Sequence, residues 1–124
     1  MGYRVVNPEA VEPEPDRPCE CRRLSAPAEL ETMAINQFRA EPGETLPLKY
    51  HYHDTQQEAF YVIEGLLGVE TPEESYEVPA GSLFVVDPES PQRTYNPETN
   101  DETTTVLAIG APQAEDVHAY DPDG

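Results

Sequence analysis

Short runs of β-branched and aromatic residues, interrupted at close intervals by Pro, Gly, Asp and Asn, constrain the fold of this chain most strongly. The runs include TMAINQFRA, LPLKYHYH, EAFYVIEG, SLFVVD and TTTVLAIGA. No long segment places apolar residues at a 3.6-residue period, which argues against a helical domain. Short strands separated by turn residues are typical of a β-sandwich or β-barrel. The sequence therefore predicts an all-β fold.

The length of 124 residues suits one domain with a modest core. Residues 1–31 begin with a stretch rich in Pro and Glu, and proline disfavours regular strand pairing. We therefore predict an extended N-terminal arm over 1–31, which packs on the body of the protein or on a partner subunit. A barrel over 32–114 and a solvated C-terminal tail over 115–124 complete the predicted organisation.

The charge of the chain excludes some partners. Twenty-five acidic residues face seven basic ones, for a formal net charge of −18. Nucleic acid binding requires clustered Lys and Arg, so we expect no nucleic-acid partner. So acidic a chain is either disordered or a folded protein adapted to high salt, and the strand-like runs favour the salt-adapted, halophilic protein. No apolar run is long enough to span a membrane and no signal-peptide pattern is visible, so we predict a cytoplasmic protein.

Cys19 and Cys21 form a CxC pair near the N-terminus. Two cysteines do not make a disulfide framework, and one intervening residue gives poor bridging geometry. No further cysteine is available to complete a thiolate metal site. We interpret the pair as two reduced thiols, and the sequence assigns them no role.

The stretch HYHDTQQEAFYVIEG contains the most informative spacing of polar residues. Residues i and i+2 of a strand share a face, so His51 and His53 project together. If DTQQ is a hairpin loop, His53 lies opposite Glu58, and His51 lies opposite Phe60. Two imidazoles and one carboxylate on one face can bind a divalent metal such as Fe, Mn, Ni, Zn or Cu. The alternative is a polar patch on an ordinary sheet.

Two motifs in this region resemble those of the cupin superfamily of small jelly-roll β-barrels. The first comprises Gly43, the HxH pair, Glu58 and Gly65, with a spacer after Gly43 that is two residues longer than usual. The second runs from Pro79-Ala80-Gly81 through SLFVVDPES to Pro91, Gln92, RTY and Asn96. The resemblance to small single-domain conserved-barrel proteins of the cupin 2 type, of haloarchaeal character, implies a jelly-roll cupin barrel.

The chain departs from the cupin pattern at one ligand position. Metal-binding cupins usually take a fourth ligand from a histidine of the second motif, and this sequence has Gln92 there. A glutamine oxygen is a neutral and weaker donor for late transition metals. His118 lies in the expected tail, away from the motifs. The candidate metal ligands are therefore His51, His53, Glu58 and Gln92.

Three interpretations remain open from the sequence. The barrel binds a metal through three ligands with Gln92 as a weak fourth, or binds an organic ligand by hydrogen bonds alone, or serves only assembly. The first would allow an isomerase, dioxygenase or lyase acting on a small molecule, and the second a sensor or carrier. No catalytic residue is identifiable, although Glu58 could serve as a general base if it is not a ligand.

An apolar stripe predicts how the chain associates. Ala59, Tyr61 and Ile63 alternate with the inward positions of their strand, and Val85 extends the stripe. An exposed apolar stripe on so acidic a protein usually marks a contact surface. We predict a homodimer, as the cupin resemblance also implies.

Overall fold

A computed structural model describes residues 2–124, apart from the side chain of Pro47. The described chain contains a short 3-10 helix, Pro8–Ala10, and ten strands. In chain order, the strands are β1 Glu20–Arg23, β2 Ala34–Ala40, β3 Thr45–His53, β4 Gln57–Glu64, β5 Leu66–Glu70, β6 Ser75–Pro79, β7 Leu83–Val86, β8 Gln92–Tyr95, β9 Thr104–Ala111 and β10 Val117–Ala119.

The strands form two antiparallel five-stranded sheets. The first sheet has the order β1-β2-β9-β4-β7, and the second has the order β10-β3-β8-β5-β6. The predicted all-β jelly-roll architecture is confirmed. Within residues 2–124, no helix has the length and apolar character needed to cross a membrane.

The core lies between the two sheets and follows the alternation of the strands. Phe60 and Val62 of β4 are buried against Leu67 and Val69 of β5, which belong to the opposite sheet. Residues two apart share a face, so one face of each strand supplies the core while the other face meets solvent. Phe60 and Val62 occupy the inward positions that alternate with Ala59, Tyr61 and Ile63, as the sequence predicts for this strand.

The segment DTQQ does not form the predicted hairpin. The strand before it, β3, pairs with β8 and β10, whereas the strand after it, β4, pairs with β7 and β9 in the other sheet. Each of the two strands is flanked on both sides, so neither has an edge left for the other. The four-residue segment therefore crosses from one sheet to the other, and the expected pairing of His53 with Glu58 on one hairpin is wrong.

Both ends of the chain add edge strands to the sheets. β1 pairs with β2 at one edge of the first sheet, and β10 pairs with β3 at one edge of the second. Arg22 donates hydrogen bonds to the carbonyls of Pro8 and Val11, which fasten the N-terminal segment to β1. The tail that the sequence predicts to be solvated has exposed side chains from Val117 to Ala119, but its backbone is paired.

Cys19 and Cys21 are free thiols buried in the core. Burial is the main cause that raises the pKa of Cys19 to about 12, so its thiol is protonated at neutral pH. A protonated, buried thiol is a poor nucleophile and metal ligand. The two cysteines therefore contribute packing to the core.

The outer face of β4 and β7 is apolar. Tyr61 lies opposite Leu83, Ala59 lies opposite Val85, and Ile63 continues the same row. Four of these five side chains, those of Tyr61, Ile63, Leu83 and Val85, are each more than 40% exposed. The outward orientation predicted for Tyr61, Ile63 and Val85 is confirmed. These five residues are called the apolar face below.

Gly65 is the single residue that joins β4 to β5 and thereby passes the chain from one sheet to the other. Its φ of +82° lies in the left-handed region, and a Cβ there would stand 2.6 Å from the carbonyl oxygen of Thr103. We expect Gly65→Ala to lower the free energy of unfolding by about 3 kcal/mol, since it combines backbone strain with overpacking.

Gly81→Ala is the matched control, because Gly81 has a φ of +86° but no atom within 4 Å of the added Cβ. It should lose only about 1 kcal/mol, from backbone strain alone. Urea unfolding of the two variants measures the difference. Equal losses would show that the close approach at Gly65 does not constrain the fold.

Candidate metal centre

Three side chains from the two facing sheets converge in the interior of the barrel. His51 and His53 project from β3 of one sheet, and Glu58 projects from β4 of the other. One ligand atom from each lies within 4.8 Å of the others. The sequence correctly predicts that the three residues share one space. They meet because the sheets face each other across the core, and not because they share a hairpin.

Both imidazoles are held by hydrogen bonds on the same ring nitrogen. His51 Nδ1 lies 2.6 Å from the carbonyl oxygen of Lys49, and His53 Nδ1 lies 2.9 Å from Oδ1 of Asp116. Since both partners are acceptors, each Nδ1 carries the proton, and Nε2 of a neutral ring keeps its lone pair. Histidines that bind metals are usually oriented in this way by a second partner. The arrangement turns both Nε2 atoms into the space between the sheets, where they could bind one ion that replaces the proton of His53.

Several polar atoms in this space are buried and lack a hydrogen-bond partner within the described chain. They are His53 Nε2, Glu58 Oε1 and Gln92 Oε1. His53 Nε2 and Glu58 Oε1 are 3.0 Å apart, which is close enough for an ion pair, but their orientation is not that of a hydrogen bond. Buried polar groups without a partner destabilise a fold. A cation bound among them would satisfy them, so the residues present fit a metal ion.

Gln92 lies beside the three-residue cluster. It faces His51 across the β3–β8 ladder, is 1% exposed, and places Nε2 3.3 Å from His51 Nε2. With Nδ1 of His51 protonated, the amide can donate to the lone pair on Nε2, and a metal bound at His51 would replace this contact. The buried Oε1 is the atom that could reach a metal. The structure brings Gln92 to the cluster, and its role as a fourth ligand stays a prediction.

Asp116 is a site residue that sequence reasoning missed. Its carboxylate accepts hydrogen bonds from the backbone amides of Thr55 and Gln56, in addition to its contact with His53. Asp116 immediately precedes β10, which pairs with the histidine strand. No spacing in the sequence indicates this proximity, because it depends on the tail returning to the edge of β3.

The two histidines have opposite electrostatic surroundings. Burial lowers the pKa of His51, only partly offset by its hydrogen bond to the carbonyl of Lys49. Burial also disfavours the charged form of His53, but the carboxylates of Glu58 and Asp116 outweigh it and raise the pKa of His53 to about 9. Burial acts against ionisation of Asp116 too, and hydrogen bonds from Thr55, His53 and Gln56 nevertheless lower its pKa.

The third histidine takes no part in the cluster. His118 is exposed, with its Nε2 2.6 Å from Oδ2 of Asp54 and its ring stacked on Tyr52 at 5.1 Å between centroids. Tyr52 alternates with His51 and His53 along β3, so this contact lies on the other face of the sheet. The expectation that His118 lies away from the site is confirmed.

A cavity of about 600 Å³ adjoins the cluster. Its walls include the apolar side chains of Phe38, Leu46 and Phe60 as well as the three candidate ligands. The N-terminal segment contributes Arg17 and Arg23 to the same cavity. A largely apolar wall with a few converging polar groups is typical of a small-molecule site.

The sequence matches the family model described as Cupin domain over residues 36–110, which is more than half of the chain. This range contains His51, His53, Glu58 and Gln92. No curated protein sequence matches the chain.

Solved structures with the same fold have low sequence identity to this chain. The polyketide cyclase RemF from Streptomyces resistomycificus is 19% identical, with a TM-score of 0.79 over 96% of this chain and 86% of that one. A predicted oxalate decarboxylase from Thermotoga maritima is 17% identical, with a TM-score of 0.74 over 89% of this chain and 100% of that one. A sugar phosphate isomerase from Silicibacter pomeroyi is 22% identical, with a TM-score of 0.72 over 89% of this chain and 76% of that one. At these identities the likeness shows the fold and not the activity.

The raised pKa of His53 predicts a pH dependence of stability in chelator-treated protein. The ordinary value of 6.5 rises to about 9 on folding, so the stabilisation is complete below 6.5 and is lost as the pH rises through 9. We expect the free energy of unfolding to fall by roughly 3 kcal/mol as the pH rises through this window. Denaturant unfolding at a series of pH values measures it.

Asp116→Asn is the comparison variant for this measurement. Asparagine keeps an oxygen that can accept from His53 Nδ1 but removes one of the two carboxylates that raise the pKa. The fall in stability with pH should therefore be smaller in the variant. The same slope in both proteins would contradict the assignment of the pH dependence to the contact between His53 and Asp116.

Proposed function

This chain belongs to the cupin family, and we propose that it binds a divalent transition metal through His51, His53 and Glu58 and a small organic molecule in the adjoining cavity. The observation that carries the proposal is the set of buried polar atoms that converge from both sheets and have no hydrogen-bond partner in the described chain. A polar patch on an ordinary sheet would instead be exposed or hydrogen-bonded within the protein.

The donor set determines which ions suit the site. Two imidazole nitrogens and one carboxylate oxygen suit Fe, Mn, Ni, Zn and Cu, and are poorly matched to Mg or Ca, which prefer oxygen ligands. The protein holds the donors in place through Lys49 O and Asp116, so that little rearrangement is needed on binding.

The reaction we propose is a metal-assisted conversion of the isomerase, dioxygenase or lyase type. When bound, the metal would act as a Lewis acid that polarises an oxygen of the substrate, or as an oxygen activator. The apolar walls from Phe38, Leu46 and Phe60 would exclude water from the bound molecule. Structural neighbours named as a cyclase, a decarboxylase and an isomerase support a small organic substrate.

We further propose that a second copy of the chain covers the apolar face, in a homodimer of a halophilic cytoplasmic protein. The apolar face is unusual on a surface that carries a net charge of −18. Sedimentation equilibrium in concentrated salt tests this assembly. A homodimer should have twice the monomer mass of 13.8 kDa.

Metal content is the direct test of the proposed function. Protein purified without a metal-binding tag should contain near-stoichiometric Fe, Mn, Ni, Zn or Cu by elemental analysis. The double variant His51→Ala/His53→Ala should lose it, because it removes two of the three donors. In the metal-bound wild type, chelation should lower the midpoint of thermal unfolding, since an ion that binds only the folded state stabilises it.

His118→Ala is the matched control, since it removes one imidazole outside the cluster. It should keep the metal content of the wild type. A wild type that stays metal-free after reloading, or a double variant that retains the ion, would contradict a metal site at these residues.

Gln92 favours a second candidate function, a sensor or carrier that holds a small ligand without converting it. A neutral amide at the fourth position is a weaker donor for late transition metals than imidazole. Gln92→His distinguishes the two functions. If glutamine is a working part of an enzyme, the variant should leave activity unchanged or lower it. A variant with higher metal occupancy and activity that the wild type lacks would establish the non-catalytic function instead.

A further inference from the structure

The N-terminal segment places two of the few cations of this protein at the cavity. The chain has seven basic residues against 25 acidic ones, and Arg17 and Arg23 both line the cavity that holds the candidate metal ligands. Arg17 lies in the loop before β1, and Arg23 is the last residue of β1. Such a concentration of positive charge on an acidic protein calls for a physical explanation.

One carboxylate joins the two arginines to each other. Glu14 Oε2 lies 3.0 Å from Arg17 Nε, and Glu14 Oε1 lies 2.6 Å from Arg23 Nε. The backbone amide of Glu14 donates to the carbonyl of Cys21 at 2.8 Å, which fixes this segment beside β1. Two guanidinium groups around one carboxylate leave an excess of one positive charge.

The terminal nitrogens of both guanidinium groups remain available. Both contacts with Glu14 use Nε, and within residues 2–124 no hydrogen bond is made by the Nη atoms of Arg17 or Arg23. Paired Nη groups match the oxygens of a carboxylate or phosphate bidentately.

Among the carboxylates of Glu58, Glu115 and Asp116, two contact other groups of the protein and the third does not. Asp116 accepts from His53, Thr55 and Gln56, and Glu58 belongs to the candidate metal cluster. Glu115 lines the cavity, is exposed, and makes no ion pair or hydrogen bond within the described chain. Its negative charge repels an anion in the cavity. Removing this charge should therefore strengthen anion binding, whereas removing an arginine should weaken it.

We propose that the cavity binds a small organic anion, whose carboxylate or phosphate group is held by Arg17 and Arg23. This inference rests on the proposed function, because the remainder of the anion would then face the metal held by His51, His53 and Glu58. The cavity volume of about 600 Å³ lies in the range of small-molecule sites. Arg17 and Arg23 thus determine specificity, and the N-terminal arm becomes part of the site.

Three matched probes test the inference: glycerol 3-phosphate, glycerate and glycerol. They share a three-carbon skeleton and carry a phosphate, a carboxylate and no charge. Calorimetric titration at constant ionic strength, with metal-loaded and with chelator-treated protein, should show saturable binding of at least one anion and none of glycerol. The ratio of the two dissociation constants identifies phosphate or carboxylate as the preferred group. Absence of binding of both anions up to about 10 mM, or equal binding of glycerol, would overturn the inference.

Single substitutions test the arginines themselves. Arg17→Gln should raise the dissociation constant of the bound anion about tenfold, and Arg23→Gln should raise it less because its side chain is half exposed. Glu115→Gln should lower the dissociation constant, since it removes a repulsive charge. Arg39→Gln is the control for net charge, because Arg39 lies outside the cavity, and it should leave binding unchanged.

The metal content of every variant separates this inference from the proposed function. Arginine variants that bind the anion as well as the wild type overturn the inference, whatever their metal content. Anion binding that depends on Arg17 in a protein that holds no metal supports the inference while the proposed metal function fails. Arginine variants with normal metal content and weakened anion binding support both.

Discussion

The imidazole of His53 joins three parts of the fold that are distant in sequence. It projects from β3, faces Glu58 of the opposite sheet at 3.0 Å, and contacts Asp116 ahead of β10 at 2.9 Å. The side chains of these three residues are all at most 15% exposed, so their charges interact with little screening by solvent. The tail, the opposite sheet and the candidate ligands are therefore linked through one buried group. Breaking such a network by removing one member leaves the others unpaired, which costs more than the lost contact.

The same cluster shows how stability and function oppose each other. Between two sheets, apolar packing would satisfy the core without any unpaired polar atom. This chain instead buries His53 Nε2, Glu58 Oε1 and Gln92 Oε1 without hydrogen-bond partners in the described structure. The surrounding core, with Val62, Leu67, Val69 and Val106 fully buried, offsets that cost. Buried polar groups without hydrogen-bond partners are expected mainly at functional sites.

Much of the fold and three of the site residues could be predicted from the sequence, for identifiable reasons. Turn residues between short β runs specify an all-β chain, and the alternation of His51 with His53 specifies a shared face. Pairing partners could not be predicted, because DTQQ is equally suited to a hairpin loop and to a crossing between sheets. The outcome depends on β8 and β10 occupying both edges of β3, which are contacts at long sequence separation. The proximity of Asp116 to His53 could not be predicted for the same reason. Nor could the position of Arg17 and Arg23 at the cavity, because it depends on where β1 pairs.

The charges of the cavity connect its two halves. A divalent ion bound by two neutral imidazoles and one carboxylate would leave one positive charge, and neutral Gln92 would not reduce it. Arg17 and Arg23 around Glu14 leave another, which the carboxylate of Glu115 at the same cavity partly opposes. The rest of the protein is strongly acidic, so a small anion is repelled by the surface and attracted by these two positions. High salt screens the long-range repulsion by the surface more than it screens the close contacts inside a partly enclosed cavity. Concentrated salt would therefore ease the approach of the anion more than it would weaken the bound state. On this basis, the acidic surface and an anion-binding interior are compatible in one small protein.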